Sequence, residues 1–255
     1  MCAAGQGVML RAMRRPTGYE PLYRLKPVAP DLWIADGGWI RFYGLPFPTR
    51  MTVIRLRDGG LWVHSPVADL DRLANAVEAL GPVAHLIAPN WIHYAWLPDW
   101  QARFPQARAW GCLGVAERAQ SRNIALRLDG VLGDTPPPDW DAEIDQRLFD
   151  SGLHREVLFV HKPSRSLILT DLIENFEPQY MPWWSRPLLR LGGVCHPQGG
   201  MPRDIALSAR RHPAQMRALV QWMRVQVPER IIFAHGRWIA RDAMSELARV
   251  FSRWA

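Results

Sequence analysis

Cysteine and lysine are the scarce residues in this chain of 255. Its three cysteines, Cys2, Cys112 and Cys195, are odd in number, far apart, and form no C-x-x-C pair. That excludes a disulfide scaffold and a zinc ribbon, and it fits a reducing, cytoplasmic setting. None of them has a histidine or aspartate at a spacing suited to nucleophilic catalysis. Long apolar runs are also missing, since none approaches the ~20 residues that span a bilayer. The N-terminal MCAAGQGVMLRAMRRPTGYEP holds only a short apolar stretch between charges and makes a poor secretory signal. The G-x-S-x-G elbow, the Walker A loop and the G-x-G-x-x-G fingerprint are absent, and the classes that depend on them are excluded.

Of 31 basic residues only Lys26 and Lys162 are lysine, so the net charge of +7 is carried by arginine. The arginines are scattered singly. The pairs Arg14–Arg15 and Arg210–Arg211 are short and lack the interleaved aromatics of a single-strand binder. Specific nucleic-acid binding is therefore not expected; a mild preference for an anionic small molecule is what the charge supports.

Apolar residues at 48% and charged residues at 22% describe an ordinary globular protein. Residues 1–21, rich in Arg, Gly and Ala, read as a flexible arm, and 22–255 as a single domain. Glycine-punctuated runs at 30–38 and 51–66 predict strands, with a hairpin at Asp58-Gly59-Gly60. Leu70, Leu73, Ala74, Val77 and Leu80 predict a helix over 69–80 that stops at Gly81-Pro82. Further strands are predicted at 83–88, 108–113, 157–160, 166–170 and 230–234, with helices ending near 120, over 213–227 and at the C-terminus. Residues 129–150, with Pro136 to Pro138, read as mostly loop. The Pro- and Trp-rich stretch 177–203 reads as an insertion covering the core or the cleft mouth. A membrane-surface contact through Trp183 and Trp184 is its less favoured alternative. Strands followed by helices, twice over, predict sheet packed on sheet with helices outside.

Polar residues just past the ends of buried strands are where such folds place their sites. His93 lies beyond the strand 83–88, Asp171 ends 166–170, His235 ends 230–234, and His154 precedes 157–160. Neutral imidazoles and a carboxylate converging in this way suit Zn²⁺, Fe²⁺ or Mn²⁺. His154 has the competing reading of a loop histidine, with the neighbouring Glu156 the polar group that points inward. Asn90 reads equally as an Asx turn and as a donor to substrate.

Gly152-Leu153-His154, Thr170-Asp171 and Ala234-His235-Gly236 match, in order, the later metal-site elements of the metallo-β-lactamase superfamily, which the chain resembles. PTRMTVIRLRDGGLWVHSP, HLIAPNWIH and KPSRSLILTDL are similar to the uncharacterised domain of unknown function 4336 within it. The resemblance implies an α/β fold, the four-layer αββα sandwich, and a metal site on His93, His154, Asp171 and His235. It also implies catalytic roles for Asp171 and His93, with Asn90, His64 and His161 behind the ligands or against substrate. Where the superfamily has His-x-His-x-Asp-His, this chain has Asn90, Ile92, Tyr94 and Ala95, so a binuclear centre is not expected. Three readings follow: a mononuclear metal-dependent hydrolase of an ester or phosphoester, with zinc the first candidate; a metal-free, non-catalytic binding protein; and a mononuclear iron oxidoreductase.

Overall fold

The computed structural model describes residues 16–254. Its strands and helices alternate as β1 (Lys26–Ala29), β2 (Leu32–Phe42), β3 (Leu45–Arg55), β4 (Leu61–His64), α1 (Ala74–Glu78), β5 (Val83–Ala88), α2 (Leu97–Arg103), β6 (Arg108–Cys112), α3 (Val115–Ser121) and β7 (Gly130–Leu132). These strands form one sheet in chain order, antiparallel from β1 to β4 and parallel from β4 to β7. The change of sense follows the connections. Tight turns such as Asp58–Gly60, with Gly59 at φ 88°, join antiparallel neighbours, whereas α1, α2 and α3 are the crossovers that parallel pairs require.

β8 (Ile144–Asp150), β9 (Arg155–His161) and β10 (Ser166–Ile168) then run antiparallel in a second sheet. After α4 (Arg186–Gly192), α5 (Arg203–Ala209) and α6 (Pro213–Val225), β11 (Arg230–Ile232) returns parallel to β10, and α7 (Ala243–Val250) follows. No helix among the described residues is long and apolar enough to cross a membrane.

Alternation along β9 shows how the layers stack. Val157 and Phe159 point at the first sheet, where the Phe159 ring meets Trp62 at 4.9 Å and 72°. Leu158 and Val160 point the other way, onto Met216, Leu219, Val220 and Met223 of α6 and Leu247 of α7. Each such side chain contributes about 1.5–3 kcal/mol by leaving water. On the far side of the first sheet lie Leu73 and Val77, then Leu97 and Trp100, then Val115 and Ala119, from the loop into α1 and from α1, α2 and α3. The architecture is thus helix, sheet, sheet, helix.

Several local expectations change. The helix expected over 69–80 divides into a 3₁₀ turn at Leu70–Arg72 and the short α1, after Asp69 adopts a left-handed φ of 56°. Residues 129–150 are mostly loop, as expected, but they also hold β7 and β8, and the three prolines are confined to the link between them. The buried Gln146 fastens that link by donating to the carbonyls of Gly133 and Thr135. The stretch 177–203 is ordered by α4 and by Met181, Leu189 and Val194, which pack on Trp39, Phe47 and Phe176. Of the arm expected at 1–21, residues 1–15 lie outside the described residues. Within the remainder, Thr17 is buried, and the Tyr19 ring lies edge-on to Tyr180 and 5.3 Å from the Arg50 guanidinium.

Phe159 joins both sheets at the centre of the core, so Phe159→Ala should cost about 3–5 kcal/mol, read as a shift of the denaturant midpoint at unchanged slope.

Candidate metal centre

Four strand ends open at one end of the sandwich. After β5 the chain turns at Asn90, whose Oδ1 accepts the backbone N–H groups of Ile92 and His93, both at 2.8 Å. This Asx turn swings His93 back over the strand end. The Asn90 amide donates to Asp171 Oδ2 at 2.7 Å and to Thr170 Oγ1 at 3.0 Å. Both amide hydrogens are then used, so the Asx turn is the role the structure gives Asn90, and none is left for a substrate.

Asp171, buried just beyond β10, offers its other oxygen to two imidazoles. His93 Nε2 and His235 Nε2 each lie 3.1 Å from Asp171 Oδ1, and the two rings are 5.1 Å apart. The far side of each ring is anchored. His93 Nδ1 meets Ser65 Oγ at 2.6 Å, and His235 Nδ1 meets the Pro48 carbonyl of β3 at 2.7 Å. Phe47 and Phe176 wall His235 at 5.0 and 6.4 Å. A carbonyl only accepts, so the proton of a neutral His235 sits on Nδ1, and the Nε2 lone pair faces the carboxylate. Two lone pairs facing one another call for a cation between them or a proton on the ring. Burial alone would raise the Asp171 pKa. The charge and hydrogen bonds of His93 and His235 more than offset that and hold the carboxyl well below its usual range.

Glu156, the inward-pointing group in the competing reading of His154, is fully buried on β9 and holds the turn that presents Asp171. Its carboxylate accepts the backbone N–H of Thr170 at 2.5 Å, of Asp171 at 2.9 Å and of Leu172 at 3.0 Å, and it meets His154 Nε2 at 2.9 Å. His154 is therefore turned to Glu156. Burial opposes the charged form of its ring, but the bond and charge of Glu156, with Asp171 and Asp204 beyond, raise its pKa overall. Two triplets able to seat a cation result, sharing Asp171: His93, Asp171 and His235, and His154, Glu156 and Asp171, with the ligand atoms of each all within 4.8 Å of one another. The backbone already saturates the Glu156 oxygens, so the first triplet has the freer donor set. Glu174, also buried nearby, is pushed well above the usual carboxyl range by burial and then by the charge of Asp171.

The remaining candidates, His64 and His161, belong to neither triplet. His64 ends β4 with its ring stacked on Trp62 at 5.5 Å and edge-on to Phe159, and its Nε2 has no hydrogen-bond partner. Burial, with the nearby His93, pushes its pKa down to about 3. It is a core side chain and donates to no ligand. His161 pairs with Ser166 at the start of β10, whereas Asp171 follows the end of that strand, so His161 belongs to the opposite end of the sheet. There it meets Ser164 Oγ at 2.7 Å beside a cavity of about 380 Å³ whose walls include Asp31, Arg57 and Glu143. Burial lowers its pKa to about 4. Burial also pushes the Cys112 thiol up to about 12, which keeps it out of nucleophilic chemistry.

The sequence profile of a family described as a domain of unknown function (DUF4336) matches residues 39–189. No curated protein matches the chain in sequence. Solved structures give the fold. A metallo-β-lactamase from Pontibacter korlensis superposes with a TM-score of 0.60 at 10% identity, over 90% of this chain and 98% of its own. A metallo-β-lactamase from Pseudomonas aeruginosa in its mono-zinc form gives 0.59 at 9% identity, over 90% and 95%. A metal-soaked flavodiiron core from Synechocystis gives 0.60 at 12% identity, over 91% of this chain and 60% of that one. The two-sheet architecture is the metallo-β-lactamase fold.

Glu156→Gln keeps the shape but sets an amide N–H₂ against backbone donors. It should lower stability by on the order of 3 kcal/mol, read by chemical denaturation. The folded pKa values of His64 and His161 are depressed, so the unfolded chain binds more protons between the ordinary histidine value and those lowered ones. The stability that these two rings contribute is complete above about pH 6.5 and falls as the pH drops toward 4, whereas His154, whose pKa is raised, acts in the opposite sense above the ordinary histidine value. Melting temperatures measured across that window should decline with acidity; a flat profile would contradict the burial of both rings.

Proposed function

Because this chain belongs to the DUF4336 family and carries the metallo-β-lactamase fold, we propose that it is a mononuclear metal-dependent hydrolase of an ester or phosphoester, with His93, Asp171 and His235 as ligands. The observation that carries this reading is the aim of the donors: two Nε2 atoms on one Asp171 oxygen, each ring fixed from behind. Two histidines and a carboxylate are a sufficient set for one divalent ion that leaves positions open for substrate. A cation held there would supply Lewis acidity toward water and toward a carbonyl or phosphoryl oxygen.

The chain's own groups do the rest. Asn90 occupies Asp171 Oδ2, so Oδ1 is the oxygen that faces His93 and His235 and the one that would hold the ion, with Asp171 also placed to orient a water beside it. Ser65 and Pro48 fix which nitrogen each imidazole presents. Phe47 and Phe176 keep bulk water from one side of His235, which strengthens electrostatic interactions within the pocket. The other triplet, His154, Glu156 and Asp171, shares Asp171 with the first and has its Glu156 carboxylate engaged by the amides of residues 170–172 and by His154. Asn90 is committed to its turn and Tyr94 is buried in the core, so neither adds a ligand. The reading is therefore mononuclear. The P. aeruginosa neighbour in its mono-zinc form is consistent with it.

The test is the metal content of purified protein beside Asp171→Ala, with melting scans after zinc, iron or manganese is added to chelated samples. Near one zinc per chain, lost in the variant, with a rise in melting temperature on zinc addition is expected. Chromogenic ester and phosphoester hydrolysis should fall by about 10²-fold or more in the variant. Stoichiometric iron with no zinc would move the assignment to oxidoreductase chemistry, for which the flavodiiron neighbour offers the precedent. A folded chain that takes up no metal and gains no stability from any of them overturns the proposal in favour of a non-catalytic scaffold. Ser65→Ala, which removes the support behind His93, should weaken zinc affinity by about 10–100-fold by competition with a chromogenic chelator.

A further inference from the structure

α4 is apolar on two sides. Ser185 and Leu189 face inward, with Leu189 in the cluster of Trp39, Phe47 and Phe176. Trp184, Leu188 and Leu191 follow at i, i+4 and i+7 on the opposite side, exposed at 42%, 52% and 65%, and Trp183 beside them is 76% exposed. Single exposed apolar residues need no explanation, but four in one stripe do. Tyr43, at the tip of the β2–β3 hairpin, is likewise 90% exposed, and its ring meets Phe42, which packs against the same cluster as Leu189.

Charge selects the occupant. Arg186 and Arg190 lie one turn apart on another side of α4 from the stripe, within reach of the same surface through their long side chains, and no acidic residue lies between Met181 and Gly200. Among the described residues neither forms an ion pair, and Arg186 donates to the Met181 carbonyl at 3.0 Å. A second copy packed symmetrically here would bring the same arginines against these ones, with +7 on each chain. Tryptophan and leucine on one side with arginine beside them match the boundary between anionic headgroups and acyl chains. We propose that this face, formed by Trp183, Trp184, Leu188 and Leu191 with Arg186 and Arg190, docks on an anionic lipid bilayer. The docked chain lies on the surface without spanning it, and needs no metal to do so.

The test is flotation of the full chain with phosphatidylcholine vesicles, with and without phosphatidylglycerol. Recovery with the phosphatidylglycerol vesicles is expected, weakening as salt is raised. A Trp183→Ser/Leu188→Ser/Leu191→Ser variant should lose it. An Arg186→Glu/Arg190→Glu variant should bind at least about tenfold less well. All these side chains are solvent-exposed or half-exposed, so an unchanged melting temperature would show the variants folded. Failure to float with either vesicle, or flotation undiminished in both variants, overturns the proposal. So does a dimer that the same substitutions split while vesicles bind nothing, because the face would then belong to a second copy. Metal content and hydrolysis do not enter the readout, so this proposal and the hydrolase assignment fail separately.

Discussion

A carboxylate with no access to water must be met by donors, and Glu156 is the fully buried one on which the site depends. Leaving such a charge unpaired costs several kcal/mol, so the chain around it is not free to choose its path. The backbone N–H groups of residues 170–172 are the donors it takes, together with the His154 ring. Drawing those three amides inward turns the end of β10 toward the open edge of the sandwich and leaves Asp171 facing β5 and β11. The positions of His93, Asn90 and His235 relative to one carboxylate all follow from that turn.

A second buried charge ties the two sheets. Arg50 stands in the middle of β3, paired with Asp36 at 2.7 Å, and reaches across to the carbonyls of Phe233 and Gly236 at 2.8 and 2.9 Å. Those carbonyls bracket His235, whose ring is held in turn by Pro48 on the same strand. Lys26 completes the Asp36 pairing at 2.6 Å, and Gly37 allows the close approach, since a Cβ there would sit 2.4 Å from Thr49 Oγ1. The long hairpin is thus both a part of one sheet and the brace for the His235 ring carried by the other.

What the sequence made legible follows this division between local and distant forces. β5, α6 and the hairpin at Asp58–Gly60 could be located from apolar period and turn residues, because their signals lie within the segment itself. Strand-end position likewise drew attention to His93, Asp171 and His235. β8 was hidden by the prolines before it, and α1 was shortened by a left-handed residue that periodicity does not register. The roles of Glu156 and Arg50 went unread for another reason, although Glu156 reads as a group that points inward. Each is a charged residue inside an apolar strand, which is the available clue, but apart from His154, two positions from Glu156, the partners lie 14 to 186 positions away. His161 failed in the opposite sense: it borders an apolar run as His64 does, yet it stands at the wrong end of its strand, which only the register reveals.

Asn90 bears on how such a site changes over generations. Restoring a histidine there would add an imidazole where the related fold has its first ligand, and by ligand count alone it would be an advance. It would also remove the one oxygen that collects the amides of Ile92 and His93 and the amide that steadies Asp171, interactions worth about 0.5–1.5 kcal/mol each. Asn90 is therefore costly to replace. A single Asn90→His change would disturb the placement of His93 and Asp171 before its imidazole contributed anything, so a histidine at this turn would need compensating changes around it first.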